Sequence, residues 1–214
     1  MKQSDIDNIF IYWIYYISLI FIALFILGSI GFISNIFRAD ISYISSLIFV
    51  IFNFYIFQCG YYLYKLRDAI FYIDTVEVYK LHNMFLDICS EYRLQIESNK
   101  QNQISNQDEL KSKLYEFVDN GFFISDLLLK LGIIGTVVGF IIMLSSLSAI
   151  DEMNLSKMNN LLLSMSAGMK VALYTTLTGL IGSILLTIQY NFFESKINIF
   201  INKVLNSKKH EKKE

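Results

Sequence analysis

Four long stretches without any charged side chain constrain this chain more than any other feature. They run from Ile9 to Phe37, from Ile41 to Tyr64, from Leu131 to Ile150 and from Val171 to Phe193. A helix of roughly 20 residues crosses the hydrocarbon core of a bilayer, so each stretch is long enough to do so. The 214 residues contain no proline, the usual helix breaker. The sequence therefore predicts an all-α membrane protein with four transmembrane helices.

Composition excludes several other classes of protein. With 54% hydrophobic and 17% charged residues the chain is too apolar for a soluble domain, and a net charge of -1 does not favour nucleic-acid binding. Two cysteines and two histidines, not at metal-ligand spacing, predict no metal site. No nucleotide-binding loop, triad or catalytic carboxylate pair is present, so we expect neither an enzyme nor a cofactor. The first stretch is too long for a cleaved signal peptide, and we expect the mature protein to retain it.

Lysine and arginine predict the orientation in the membrane. Most of them lie between the second and third stretches and after the fourth, whereas the other two connections hold little more than Arg38 and Lys157. By the positive-inside rule, both termini and the long middle segment are cytoplasmic.

The middle segment has apolar residues at helical spacing, for example Phe85, Ile88 and Tyr92, and again Leu110 and Leu114. It is predicted to form a cytoplasmic helical hairpin that extends from transmembrane helices 2 and 3, whose first helix continues the second stretch and ends near residue 99. The expected division of the chain is residues 1–64 as outer transmembrane helices, 65–121 as the hairpin, 122–193 as inner transmembrane helices, and 194–214 as a cytoplasmic C-terminal helix and tail.

Small residues share one face of each of the last two stretches. Such residues allow close approach of two helix backbones within a membrane. The candidate packing residues are Gly132, Gly135, Gly139, Ala172, Gly179 and Gly182. On spacing alone, these faces are explained by helix packing.

Hydroxyl groups on the same faces raise an alternative interpretation, in which they line a narrow hydrated path for H+ or Na+. The candidate path residues are Thr136, Thr175, Thr176, Ser183 and Thr187. Hydroxyls do not titrate at neutral pH, and neither stretch contains a carboxylate or a histidine. If the protein conducts protons, the titrating carboxylate must therefore belong to another polypeptide. Asp126 and Lys130, one helical turn apart before the third stretch, are interpreted as an interfacial ion pair, with a role at the cytoplasmic mouth of a channel as the alternative.

Two motifs then resemble a known family. The sequences LGIIGTVVGF at 131–140 and SAGMKVALYTTLTGLIGS at 166–183 resemble the two signature helices of the MotA/TolQ/ExbB proton-channel family. The resemblance covers residues 131–191. The four-span layout is closer to the MotA and ZorA branches than to ExbB and TolQ, which typically have three spans.

The resemblance implies a homopentamer around a dimer of a single-span protein of the MotB, ExbD or TolR kind, in the bacterial inner membrane. It implies a stator subunit of a motor driven by ion-motive force, in which an aspartate of the partner carries the ion. Thr136 and Thr176 match the threonines of the two signature helices and would face that aspartate. The sequence departs from the family at Ala167, where many members have proline, and at Val171, where ExbB-like members have glutamate. A proton relay identical to that of ExbB is therefore not implied.

Two functions remain open from the sequence. The first is the ion-driven motor or energy-transducing channel, and the second is a static membrane scaffold whose small-residue faces only pack. The process driven, which includes envelope energisation, motility, gliding and phage defence, is not assigned by any residue pattern.

Overall fold

The computed structural model describes residues 3–40, 42–72, 84–98, 103–147 and 155–211. Within these ranges all regular structure is helical. The helices are α1 (Gln3–Ser29), α2 (Phe32–Ala39), α3 (Ile44–Tyr72), α4 (Met84–Ser98), α5 (Gln103–Leu147) and α6 (Leu155–Glu211). Helices α1, α3, α5 and α6 are long and apolar enough to span a membrane. The predicted all-α fold with four membrane-spanning helices is confirmed.

The first charge-free stretch is divided into two helices, not one as its lack of charge predicted. Helix α1 ends at Ser29, and Gly31 has a φ of 77°, a left-handed conformation that glycine adopts without steric cost. The short helix α2 follows, and the Asp40 side chain then accepts hydrogen bonds from the backbone N–H groups of Ser42 and Ser45 at the start of α3. The stretch exceeds the length that a bilayer requires, so its last part is free to form a separate element.

Helices α5 and α6 are much longer than a membrane is thick. They contain 45 and 57 residues, which at 1.5 Å per residue correspond to about 68 and 86 Å. Helix α6 therefore continues without interruption beyond Phe193, where the fourth apolar stretch ends. The sequence left residues 151–170 as the connection between the third and fourth stretches, but α6 begins at Leu155 and includes most of them. The rest of that connection, residues 99–102 of the expected hairpin turn, and the expected continuation of α3 through 73–83 lie outside the described residues. Helix α4 ends at Ser98, close to the predicted end near residue 99.

The chain divides into two compact units that are each built from parts of several helices. The first unit contains Met1–Ser18, Ile56–Phe122 and Ile188–Glu214. In its core Phe85 of α4 makes an edge-to-face contact with Phe200 of α6, with ring centroids 6.1 Å apart. The predicted hairpin and the predicted C-terminal helix thus share one core with the ends of the apolar helices. Several long helices contribute residues to both units. The four sequential segments expected from the sequence describe membrane and cytoplasmic parts and stay a prediction.

The second unit contains Leu19–Tyr55 and Phe123–Thr187. It includes the last part of α1, all of α2, the first part of α3, and the apolar parts of α5 and α6 that carry the small-residue faces. The candidate site lies within this unit.

Candidate functional site

The backbones of α5 and α6 touch along their glycine faces. A Cβ atom built on Gly139 would lie 2.7 Å from the carbonyl oxygen of Gly168, and one built on Gly179 would lie 2.8 Å from the Cα of Gly132. Backbone atoms cannot move aside as a flexible side chain can. Only glycine therefore fits at Gly139 and Gly179 without separating the helices.

Thr175 fills the space opposite Gly135. Its side chain is fully buried and packs directly against the position that a Cβ on Gly135 would occupy. Its hydroxyl donates to carbonyl oxygens of its own helix, at 2.9 Å from Val171 and 3.1 Å from Ala172. Within one chain, Thr175 is thus a packing residue of the α5–α6 contact, and its hydroxyl is satisfied by α6.

Thr136 and Thr176 have a different environment, because both side chains are only half-buried. The Thr176 hydroxyl lies 3.0 Å from the carbonyl oxygen of Ala172 and 3.3 Å from that of Gly132 on the neighbouring helix. The Thr136 hydroxyl donates to the carbonyl oxygen of Ile133 at 2.5 Å. Both threonines therefore reach the surface of the chain beside the glycine contact.

Ser183 and Thr187 meet Ser125, a residue that the sequence analysis missed. The Ser125 hydroxyl oxygen lies 2.8 Å from the carbonyl oxygen of Ser183, 3.2 Å from its hydroxyl and 2.6 Å from the hydroxyl of Thr187. Ser125 is 3% exposed, so this hydroxyl cluster is internal to the α5–α6 contact. Helical spacing could have indicated this contact, because Ser125 precedes Gly132 by seven residues and so lies on the same face of α5.

Gly182 lies beside α3 as well as α5. A Cβ at this position would be 3.3 Å from the side chain of Leu128, 3.7 Å from Phe52 and 3.8 Å from Ile48. The last two distances are ordinary van der Waals separations. Gly182 thus permits three helices to pack together, while Ala172, which is 5% exposed, packs on Gly139.

Asp126 and Lys130 form an ion pair on α5, with 2.6 Å between Nζ of Lys130 and Oδ2 of Asp126. Both side chains are more than half exposed. An exposed pair at this i, i+4 spacing contributes little to stability. In the sequence, this charged pair lies just before Gly132, the first glycine of the small-residue face of α5.

Within the charge-free parts of α5 and α6, most of the remaining exposed side chains are large and apolar. Exposed large side chains include Val137 and Phe140 on α5, and Leu173, Leu177 and Ile184 on α6. Such a surface is suited to lipid or to another membrane-embedded helix and not to water. These features define a multi-pass membrane protein with a close-packed, hydroxyl-bearing helix pair.

Comparison with known proteins found a family model that matches this helix pair. Residues 124–205 match the model of the MotA/TolQ/ExbB proton channel family, so the resemblance predicted from the sequence is confirmed over that range. The matched range is less than half of the chain, and it contains the glycine contact, all five candidate path hydroxyls, and Asp126 with Lys130. The comparisons with curated proteins and with solved structures found no match. The family description names a proton channel and not an enzyme.

Proposed function

We propose that this protein is the channel-forming stator subunit of a motor or energy-transducing complex driven by ion-motive force. The observation that carries the proposal is the position of Thr176. Its hydroxyl is half-buried, lies beside the carbonyl oxygen of Gly132, and belongs to a helix pair that matches a proton channel family. Together with Thr136 it offers polar groups on an otherwise apolar surface.

The chain needs a partner to move protons. No aspartate, glutamate, histidine, lysine or arginine occurs from Leu131 to Leu147 or from Val171 to Phe193. A proton path through hydrocarbon requires a titratable group, and such groups mark function where they occur. We assign that group to a membrane aspartate of a single-span protein, present in two copies inside a ring of five copies of this chain.

In this arrangement Thr136 and Thr176 accept the protonated aspartate and connect the charged form to water. Thr175, Ser183 and Thr187 lie on the same helix pair as these two threonines. They contribute by holding α5 to α6. One charge that moves down 100 mV releases about 2.3 kcal/mol, so several ions per cycle suffice for a conformational or rotary step. The proposed location is the bacterial inner membrane, with both termini, the α4 region and the Asp126–Lys130 pair on the cytoplasmic side.

The test is to co-express the chain with a candidate single-span protein, purify the complex and count subunits by native mass spectrometry. Ion flux is then measured in proteoliposomes with and without an aspartate-to-asparagine change in the partner. A five-to-two complex whose flux disappears with that change supports the proposal. A complex that lacks the partner, or whose flux is unaffected by the change, contradicts it.

A static membrane scaffold is the second candidate function. It is favoured by the engagement of Thr175, Ser183 and Thr187 in hydrogen bonds within the chain, which packing alone explains. Gene context discriminates between the two candidates, because an adjacent reading frame that encodes one span with a membrane aspartate is expected for a motor and not for a scaffold.

A further inference from the structure

An apolar cavity of about 190 Å³ lies among α1, α2, α3 and α6 in the second unit. Its wall includes Leu24 of α1, Ile36 of α2, Phe52 of α3 and Ile181 of α6. Leu19 also lines the cavity and is exposed, so the cavity opens onto the surface of the chain.

An open apolar cavity in this position is filled most readily by hydrocarbon. Cavities of about 150 Å³ lined by aliphatic and aromatic side chains exclude water and bind apolar molecules. An empty cavity also loses dispersion contacts along its wall. Three of the four helices that form the wall are candidate membrane spans, so we expect acyl chains to surround the opening.

The cavity contains a polar group whose hydrogen bonding is incomplete. Ser45 lines the cavity and is 1% exposed, and its hydroxyl has no hydrogen-bond partner among the described residues. Its backbone N–H is occupied, because it donates to Oδ2 of Asp40 at 2.6 Å. A buried hydroxyl without a partner is costly, and an ester carbonyl of a bound molecule would satisfy it once rotation about the Cα–Cβ bond turned the hydroxyl toward the cavity.

Helix α2 adds a positive charge beside the cavity. Ile33, Ile36 and Phe37 of this helix line the cavity, whereas Arg38 in its last turn is exposed. Arg38 forms no ion pair with any described side chain. A helix with this division of apolar and charged faces is suited to the interfacial region of a bilayer, and a guanidinium group binds phosphate strongly.

We propose that this cavity is a binding site for a glycerophospholipid. One acyl chain occupies the cavity, an ester carbonyl accepts a hydrogen bond from the Ser45 hydroxyl, and the phosphate pairs with Arg38. The site is separate from the glycine contact between α5 and α6, and the proposal does not depend on ion conduction.

The experiment reconstitutes the full chain, with its partner where one co-purifies, into nanodiscs that contain a phosphatidylglycerol with a diazirine group in one acyl chain. After illumination, the labelled peptides are mapped by mass spectrometry. We expect label on the part of α3 that contains Ile48 and Phe52. Leu24→Phe fills the cavity and should remove that label, whereas Ile22→Phe, on the exposed side of α1 outside the cavity wall, should retain it.

Two further pairs of variants test the polar contacts. Ser45→Ala should raise the lipid fraction that gives half-maximal labelling about fivefold, while Ser46→Ala, one residue along and outside the cavity wall, should leave it unchanged. Arg38→Gln should raise it about tenfold, and Arg38→Lys, which keeps the charge, should raise it less.

Equal labelling of α3 in Leu24→Phe and Ile22→Phe would overturn the proposal, and so would a cross-link from the cavity wall to a second copy of the chain. Thermal unfolding of each variant shows that a lost label does not come from a lost fold. If Leu24→Phe unfolds, the Ser45 and Arg38 pairs decide the question, because none of these variants adds bulk to the cavity. Equal half-maximal labelling in Ser45→Ala, Arg38→Gln and the unchanged chain rejects the site.

Discussion

The hydroxyl oxygens of Ser125 on α5 and Thr187 on α6 lie 2.6 Å apart and share a hydrogen bond between the two helices. Both hydroxyls also lie within 2.9 Å of the carbonyl oxygen of Ser183. This cluster continues the α5–α6 contact beyond the last glycine of the small-residue face. In this part of the contact the two helices are joined by polar side chains and not by close approach at glycine.

The Ser125–Thr187 hydrogen bond should be measurable as a coupling free energy. In a double-mutant cycle with Ser125→Ala and Thr187→Val, we expect a coupling of about 0.6 kcal/mol, the average for hydrogen bonds between membrane helices. Unfolding of the purified protein in mild detergent supplies the four free energies. Ser29→Ala paired with Thr187→Val is the control, since the side chain of Ser29 bonds, among the described residues, to the carbonyl oxygen of Phe25 on its own helix. A coupling no larger than that of the control pair would show that the hydrogen bond has no net effect.

Gly139→Ala should separate α5 from α6. The added methyl group would meet the carbonyl oxygen of Gly168 and the backbone nitrogen of Ala172, at 2.7 and 2.6 Å, and neither atom can move alone. We expect a loss of about 1 to 3 kcal/mol in the free energy of unfolding, as for other overpacked sites. Gly28→Ala is the matched control, because the nearest atom to its added methyl group is 3.8 Å away, and it should be neutral or slightly stabilising. Equal stability of the two variants contradicts the close contact.

The sequence predicted the helical class and the four spans because charge-free length alone decides whether a helix can cross a bilayer. It also predicted that Gly132, Gly135 and Gly139 share a face, since helical spacing fixes this. It did not predict the separate helix α2, because the positive φ of Gly31 is not encoded by hydrophobicity.

Contacts between helices were harder to predict. A helical wheel gives the face of a residue but not the neighbour that it meets, so Gly182 was not expected beside Ile48 and Phe52. Ser125 was missed because it lies outside the charge-free stretch, next to Asp126. Thr175 and Thr176 are adjacent in the sequence, yet only the structure shows that the first is fully buried and the second half-exposed.

Helix α4 should depend on Phe85 for its attachment to the first unit. Phe85 is fully buried and contacts the rings of Phe117 and Phe200 at centroid distances of 5.6 and 6.1 Å. Phe85→Ala should cost about 3 kcal/mol and increase hydrogen exchange in the backbone of α4. Leu94→Ala on the same helix is the control, because Leu94 is 66% exposed and should have little effect. If exchange in α4 is the same in both variants, Phe85 does not anchor the helix.

The ion path should depend on the hydroxyl of Thr176 and not on its shape. Thr176→Val keeps the branched side chain but removes the group that lies near the carbonyl oxygens of Ala172 and Gly132. The loss of one such hydrogen bond costs about 1 kcal/mol, too little to prevent assembly of a ring. We therefore expect the assembled complex to form with normal subunit number but to lose partner-dependent ion flux.

Thr176→Ser is the control for this experiment, since it keeps the hydroxyl and removes only a methyl group, and it should retain most of the flux. Flux is followed with a pH-sensitive dye in proteoliposomes under an imposed gradient, and subunit number by native mass spectrometry. Full flux in Thr176→Val would show that the ion path does not require this hydroxyl. Loss of flux in both variants would show that the hydroxyl alone does not support the flux, because Thr176→Ser keeps it.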